Sequence, residues 1–183
     1  MEKESYESLK IENIVASGSI AESLDLDTLS EKLAGCRLER KRFPGAVYHM
    51  ENPKLCVLFF SSGKIVITGI KNLDMFKKGL EAILTQLNDL GIKTLDQPEV
   101  SVTNMVCSYN TGIQINLNKL VLTFNYENIE YEPEQFPGLV YRLSDPKIVI
   151  LLFSSGKLIL TGGKNLGDVE RAVDNMNTVL SRL

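Results

Sequence analysis

The chain has 183 residues, with 20 lysines and arginines against 23 aspartates and glutamates, a formal net charge of −3. A protein that coats nucleic acid without specificity needs a strongly basic surface, so this balance argues against one. No apolar run approaches the roughly 20 residues of a membrane-spanning helix. Three cysteines without a Cys-x-x-Cys pair and a single histidine, His49, offer no metal-ligand cluster and no evident nucleophile–base set. Neither a metal nor another cofactor is therefore expected, and Cys36, Cys56 and Cys107 read as small buried apolar residues. The opening "MEKESYESLK" is polar and mixed in charge, unlike a signal or transit peptide, which predicts a cytoplasmic protein.

The first predicted element is an alternating strand, with Leu9, Ile11, Asn13 and Val15 on one face and Lys10, Glu12, Ile14 and Ala16 on the other. A short helix follows, with Asp27 or Thr28 as its cap and Leu29 and Leu33 apolar. Strands are then expected around Arg37–Lys41, Ala46–Met50, Leu55–Phe60 and Lys64–Thr68, punctuated by Phe-Pro-Gly, Asn-Pro-Lys and Ser-Ser-Gly turns. A long amphipathic helix closes the series, presenting Leu73, Phe76, Leu80, Ile83, Leu84 and Leu87 at helical spacing.

The series then repeats. Phe136-Pro137-Gly138 lies 93 positions after Phe43-Pro44-Gly45, and Ser154-Ser155-Gly156-Lys157 lies 93 after Ser61-Ser62-Gly63-Lys64. Lys164-Asn165-Leu166 echoes Lys71-Asn72-Leu73. Upstream the offset is 91, as between Asn13 and Asn104, which reads as two residues inserted in the first half near Ala34–Cys36. The second long helix carries Leu166, Val169, Val173, Met176 and Leu180. A period this long with two copies is a duplicated domain, expected as repeats 1–91 and 92–183. Each repeat is an α+β unit whose antiparallel sheet has one face covered by a helix.

Ile65 and Ile67 point to one side of their strand, Val66 and Thr68 to the other, and both sides are nearly apolar. One side packs on the long helix. The other is either a second core layer or an exposed apolar surface of the kind that marks a binding site.

The motifs "IENIVAS" and "VTNMVCS", "RFPGAVY" and "QFPGLVYR", "FSSGKIVITG" and "FSSGKLILTG", and "YEPEQFPG" carry a family resemblance. The chain resembles the TATA-box-binding protein family over essentially its whole length, in the archaeal-type form consisting of the core domain. The resemblance implies a saddle made of two pseudo-symmetric repeats. Its curved ten-stranded antiparallel sheet lies on the DNA minor groove, with helices on the convex face. It implies a general transcription initiation factor, not an enzyme. Its partners would be A·T-rich promoter DNA, transcription factor B and the RNA polymerase machinery, with a homodimer possible when DNA is absent.

Site residues follow from the same resemblance. Phe43, Phe60, Phe136 and Phe153 match the family's intercalating wedges. This family is itself the type case of minor-groove kinking, so the cost of about a few kcal/mol per unstacked step is a family value. Phe59, whose counterpart is Leu152, is expected in the core. The minor-groove surface would comprise Asn13, Val15, Leu58, Val66 and Thr68 with Asn104, Val106, Leu151, Ile159 and Thr161. An apolar face tolerates A·T pairs, which present only acceptors, and penalises the extra amino donor of G·C. Phosphate contacts would be Arg42, Lys54, Ser62, Lys64 and Lys71, and Arg142, Lys147, Ser155, Lys157 and Lys164, making binding salt-dependent. Two positions depart from the symmetry: His49 stands opposite Arg142, and Gln135 opposite Arg42.

Charge separates the halves further. Arg37, Arg40, Lys41 and Arg42 precede the first Phe-Pro-Gly, whereas Glu127, Glu130, Glu132 and Glu134 precede the second. Carboxylates beside phosphates repel, so Glu130, Glu132, Glu134 and Gln135 are expected to dock a basic partner protein. Two rivals stand beside this reading. A phosphate-binding loop would need Gly-x-x-x-x-Gly-Lys-Ser/Thr leading into a helix, but Lys64 and Lys157 are followed by Ile65 and Leu158 in strand patterns. A protein-interaction scaffold using the open sheet face would show no preference for A·T-rich duplex.

Overall fold

The structure, a computed structural model, describes residues 6–124 and 126–183. Its elements run in the order expected, and each half is a strand, a short helix, four strands and a long helix. The first half comprises β1 (Lys10–Ser19), α1 (Leu26–Lys32), β2 (Cys36–Leu38), β3 (Ala46–Glu51), β4 (Lys54–Phe59), β5 (Lys64–Ile70) and α2 (Leu73–Asp89). The second comprises β6 (Glu99–Asn110), α3 (Leu117–Thr123), β7 (Ile129–Glu130), β8 (Leu139–Leu143), β9 (Ile148–Leu152), β10 (Lys157–Gly163) and α4 (Leu166–Leu180).

By contacts the described residues divide into two compact units, Asn13–Thr103 and residues 6–12 together with Asn104–Leu183. The division falls inside β1 and β6, the two longest strands, and not in the connector between the sequence repeats. In the unit Asn13–Thr103 the strand order is β2-β3-β4-β5-β1; in the other it is β7-β8-β9-β10-β6. Every pairing within a unit is antiparallel.

Strand alternation sorts each sheet into two sides. In the unit Asn13–Thr103, Ile14, Ala16, Ala46, Tyr48, Met50, Leu55, Val57, Phe59, Ile65 and Ile67 are buried. There α2 packs on β5 and brings Gly79, Ile83 and Leu87 inward. The other unit repeats this with Cys107, Leu139, Ile150, Leu152, Leu158 and Leu160, over which α4 lays Val169, Ala172, Val173, Met176 and Leu180. Phe59 and Leu152 are both fully buried, as expected. Polar tips on the buried side find partners: the Tyr48 hydroxyl donates to Gln86 Oε1 at 3.1 Å, and Asn177 Nδ2 donates to the Tyr109 hydroxyl at 3.2 Å.

Several expectations need correction. The cap of α1 is Asp25, whose carboxylate accepts from the backbone N–H groups of Asp27 and Thr28, and not Asp27 or Thr28. The Thr28 backbone bond, the Thr28 hydroxyl and the Asp27 amide together hold the Asp25 carboxyl below its ordinary value, against a smaller opposing effect of desolvation. The strand expected at Arg37–Lys41 ends at Leu38, because the backbone turns there and the amides of Arg42 and Phe43 both donate to the Glu39 carbonyl. Leu73 and Leu166 sit on the first turn of their helices and are 51% and 40% exposed; the helical stripe reaches the sheet only further along. The repeated Lys-Asn-Leu has a different role, since Asn72 and Asn165 cap α2 and α4 by accepting from Met75 N and Asp168 N.

The length difference also lies elsewhere. Three residues, 33–35, join α1 to β2, whereas five, 124–128, join α3 to β7. The two extra residues therefore belong to the second half. Tyr126 and Asn128 take positive φ in that loop, 62° and 56°.

Candidate nucleic-acid interface

The side of each sheet turned away from the helices is half-buried and mostly apolar. Strand register aligns its residues in rows. Val47 on β3, Leu58 on β4 and Val66 on β5 lie directly opposite one another, and the next row is His49, Cys56 and Thr68. In the other unit the rows are Val140, Leu151 and Ile159, then Arg142, Val149 and Thr161. Val15 and Val106 join these faces from β1 and β6. Every predicted minor-groove residue is thus half-buried on the helix-free side of its own sheet.

Four residues of these faces were missed: Val47, Cys56, Val140 and Val149. Cys56 and Val149 stand two residues before Leu58 and Leu151 on the same strands, and Val47 and Val140 lie opposite those two leucines, so alternation signals the first two and strand register the others. Cys56 also corrects the reading of all three cysteines as buried. Cys36 and Cys107 are buried, but Cys56 is half-exposed on the face. Desolvation raises the thiols of Cys36 and Cys56. Desolvation first, then the Glu12 carboxylate, pushes Cys107 up to about 11. All three should therefore be slow nucleophiles at neutral pH.

The asparagines are held in one orientation by the backbone. The β1–β5 and β6–β10 ladders shift register near Gly69 and Gly162, which adopt φ of 88° and 97°. Such bulges leave an N–H outside the ladder. Asn13 Oδ1 accepts the Gly69 N–H at 2.8 Å, and Asn104 Oδ1 accepts the Gly162 N–H at 2.7 Å. The amide nitrogens then reach the threonine hydroxyls, Asn13 Nδ2 to Thr68 at 3.1 Å and Asn104 Nδ2 to Thr161 at 3.4 Å. With the acceptor consumed, the second proton of each amide nitrogen remains a donor. The face therefore offers fixed donors and few acceptors, which suits the acceptor-only edges of A·T pairs.

This arrangement separates binding from folding. Asn13→Asp keeps an oxygen for the Gly69 N–H but removes the donor. If the face meets A·T-rich duplex, as the resemblance implies, the expected result is a loss of duplex binding of about ten- to a hundredfold, the range of one well-placed base contact, with a thermal midpoint close to that of the parent. Isothermal titration and a melting scan on the same sample check both parts.

The four phenylalanines form two matching pairs. Phe43 and Phe60 meet edge to face with centroids 5.6 Å apart, Phe136 and Phe153 at 5.8 Å. Phe60 immediately follows β4 and Phe43 shortly precedes β3, at the same end of that hairpin because Ala46 lies opposite Phe59. Unlike Phe59, none of the four is buried, and Phe136 is 39% exposed. Edge-to-face packing holds the rings as a unit without covering them.

The predicted phosphate contacts fall into separate places. Arg142, Lys147 and Lys164 line one open cavity of about 610 Å³ with Val149, Thr161 and Gly162. Ser155 lies in another cavity with Ser154, Gln114 and Asn116, and Lys157 opens β10 beyond it. Arg42 lies beside Arg40 and Lys41 after β2, and its guanidinium forms an ion pair with the Glu39 carboxylate at 3.4 Å. Lys54 and Lys64 are exposed at the starts of β4 and β5, Ser62 in the turn and Lys71 just before α2. Lys64 and Lys157 lead into strands, so neither Ser-Gly-Lys segment has the loop-to-helix form of a phosphate-binding loop. Glu132, Glu134 and Gln135 are exposed in the turn before Phe136, whereas Glu130 is paired with Arg142.

A family model described as transcription factor TFIID, or TATA-binding protein, matches twice, at residues 8–90 and 99–183. TATA-box-binding protein E of Halobacterium salinarum is 49% identical over 177 residues, covering 97% of this chain and 95% of that protein. The TATA-box-binding protein of Archaeoglobus fulgidus is 44% identical, covering 96% of each. Among solved structures, that of the Methanococcus jannaschii TATA-binding protein superposes with a TM-score of 0.87 at 39% identity, over 96% of this chain and 99% of that one. The α+β class with ten antiparallel strands and four helices is the fold of that structure. Matched in both repeats and along nearly its whole length, the chain belongs to the TATA-binding protein family, the family of transcription factor TFIID.

Proposed function

We propose that this chain is a general transcription initiation factor that binds the TATA box from the minor groove and bends it by inserting Phe43, Phe60, Phe136 and Phe153. It then nucleates the preinitiation complex with transcription factor B and RNA polymerase. The family is one of DNA-binding transcription factors and not of enzymes. The observation that carries the reading is the pairing, in each unit, of a half-buried apolar face with an asparagine donor fixed by a glycine N–H. An apolar face gains little from charged phosphates and much from a widened minor groove. The saddle, with repeats 1–91 and 92–183 on the two halves of the site, is part of this proposal.

Cations at the margins supply the sequence-independent share of affinity. Lys54, Lys64 and Lys71 would serve one half-site. Lys147, Lys157 and Lys164, with Ser155, would serve the other. Among the described residues no helix is long and apolar enough to cross a membrane. With archaeal relatives, the place of action would be the cytoplasm, on the nucleoid of a cell without a nucleus.

A TATA duplex labelled at both ends, read by energy transfer across a salt series against a G·C-rich control, tests the reading. Tight binding with a bend on TATA alone is expected. Equal binding to both duplexes without a bend would instead favour a scaffold or homodimer using the same faces. The partner surface has its own test. Reversing Glu132 and Glu134 to lysine should leave the binary DNA complex intact and remove the ternary complex with transcription factor B in a gel-shift titration. Normal ternary assembly by that variant would place the partner elsewhere.

A further inference from the structure

Arg142 and Glu130 come from opposite sides of the sequence reading, one assigned to phosphate and the other to a protein partner. The structure joins them. Arg142 Nε and Nη2 both donate to Glu130 Oε1, at 3.3 and 3.2 Å. The pair spans neighbouring strands, since Glu130 lies opposite Val140 on β8. Backbone holds the arginine too, because its N–H donates to the Asn128 carbonyl at 2.9 Å. That carbonyl belongs to the loop that is two residues longer in the second half. Both side chains are more than half exposed, so water competes with the bond and it is weak.

The first repeat lacks this device. At the positions 93 residues earlier, Glu130 becomes Arg37 and Arg142 becomes His49. Otherwise the surroundings correspond: Lys147 with Lys54, Lys164 with Lys71, and Thr161-Gly162 with Thr68-Gly69. A carboxylate beside a would-be phosphate contact is a substitution toward repulsion. It also takes up guanidinium donors that a phosphate would use.

We propose that Glu130 is a positioning residue that restrains Arg142, so that phosphate and the Glu130 carboxylate compete for the same guanidinium. The second repeat then grips the DNA backbone below its full strength, and any group that neutralises Glu130 releases Arg142 to phosphate. This rests on the DNA-binding reading above. It adds a link between the acidic edge and the DNA face that neither residue has alone. A cationic partner surface engaging Glu130 would tighten DNA binding through Arg142, and by linkage DNA would favour that partner.

A double-mutant cycle with Glu130→Gln, Arg142→Gln and the combination tests the proposal on a TATA duplex across a salt series. Glu130→Gln should tighten binding about two- to fivefold at low salt, the scale of an exposed ion pair. It should also steepen the logarithmic salt slope by roughly one unit, one additional phosphate contact. Arg142→Gln should weaken binding more in the Glu130→Gln background than in the parent, and in the combination the gain should vanish. An equal gain from Glu130→Gln with or without Arg142 would show a general charge effect and overturn the inference while TATA binding stands. No TATA preference and no bend in the unaltered chain would overturn the DNA reading and this inference with it. Thermal midpoints of all four proteins separate these outcomes from misfolding, and the salt slope is a quantity that a purely structural role would leave in place.

Discussion

Replacing Phe60 and Phe153 together by alanine is expected to abolish bending of a TATA duplex and weaken its binding by roughly two to three orders of magnitude. Each ring is a partly exposed aromatic held edge to face by a second ring. Truncating a central aromatic anchor at an interface costs about 2 kcal/mol or more, and under the proposed function the two rings would enter different steps. Stability should change far less, because neither ring is in the core and the lost ring–ring contact is worth about 0.5–1.5 kcal/mol per pair. Binding, energy transfer and a melting curve on one preparation check this. Retained bending would mean that Phe43 and Phe136 suffice as wedges. Loss of the folded state would mean that the pairs close the ends of their hairpins.

Gly63→Ala is expected to be among the most destabilising single changes in the chain, at least about 3 kcal/mol, and Gly156→Ala should match it. A methyl on Gly63 would lie 1.9 Å from the Ala21 carbonyl oxygen, and one on Gly156 would lie 2.0 Å from that of Ile113. Both obstacles are backbone. Both glycines also hold positive φ, 85° and 91°, where a side chain adds about 1–2 kcal/mol of strain. The neighbouring chain is bonded to these turns: Ile20 N–H donates to the Gly63 carbonyl and Leu24 N–H to that of Ser61. Thr111 and Ile115 do the same to Gly156 and Ser154. A methyl would force these bonds apart. Gly91 is the control, with φ of 76° and nothing within 4 Å of a Cβ. Its alanine variant should cost only the strain, so urea midpoints should rank Gly63→Ala well below Gly91→Ala. Equal losses would mean that the turn relaxes away from Ala21 at little cost.

The same turns show why the motif is written twice. Ser-Ser-Gly-Lys is more than a hairpin signal. Glycine lets the turn lie against the segment after β1, which fixes the end of β4 and with it Phe60. The sequence marks the glycine as a turn residue, but the carbonyl that excludes a methyl comes from a segment some forty positions away. A similar limit applies to Asn13. Its alternation with Val15 places it on the open face, yet the N–H that fixes its amide belongs to Gly69 on a different strand.

The sequence by itself determined the duplication, the order of elements, the two-sided strands and the family, because these rest on local periodicity and on motifs whose spacing survives in one dimension. Buried Phe59 beside half-buried Phe60 needed nothing more than alternation. Tertiary structure decided matters that depend on register and on neighbours distant in the chain. Strand pairing added Val47 and Val140 to the faces. Leu73 and Leu166, at the first positions of their helices, are exposed, although periodicity alone put them on the apolar stripe. A turn at Glu39 shortened β2, and a two-residue-longer loop brought Asn128 to the backbone of Arg142. The pairing of Glu130 with Arg142 belongs to the same class. The family resemblance assigned Arg142 to phosphate and charge assigned Glu130 to a protein partner, and only the alignment of β7 with β8 placed carboxylate and guanidinium within 3.3 Å.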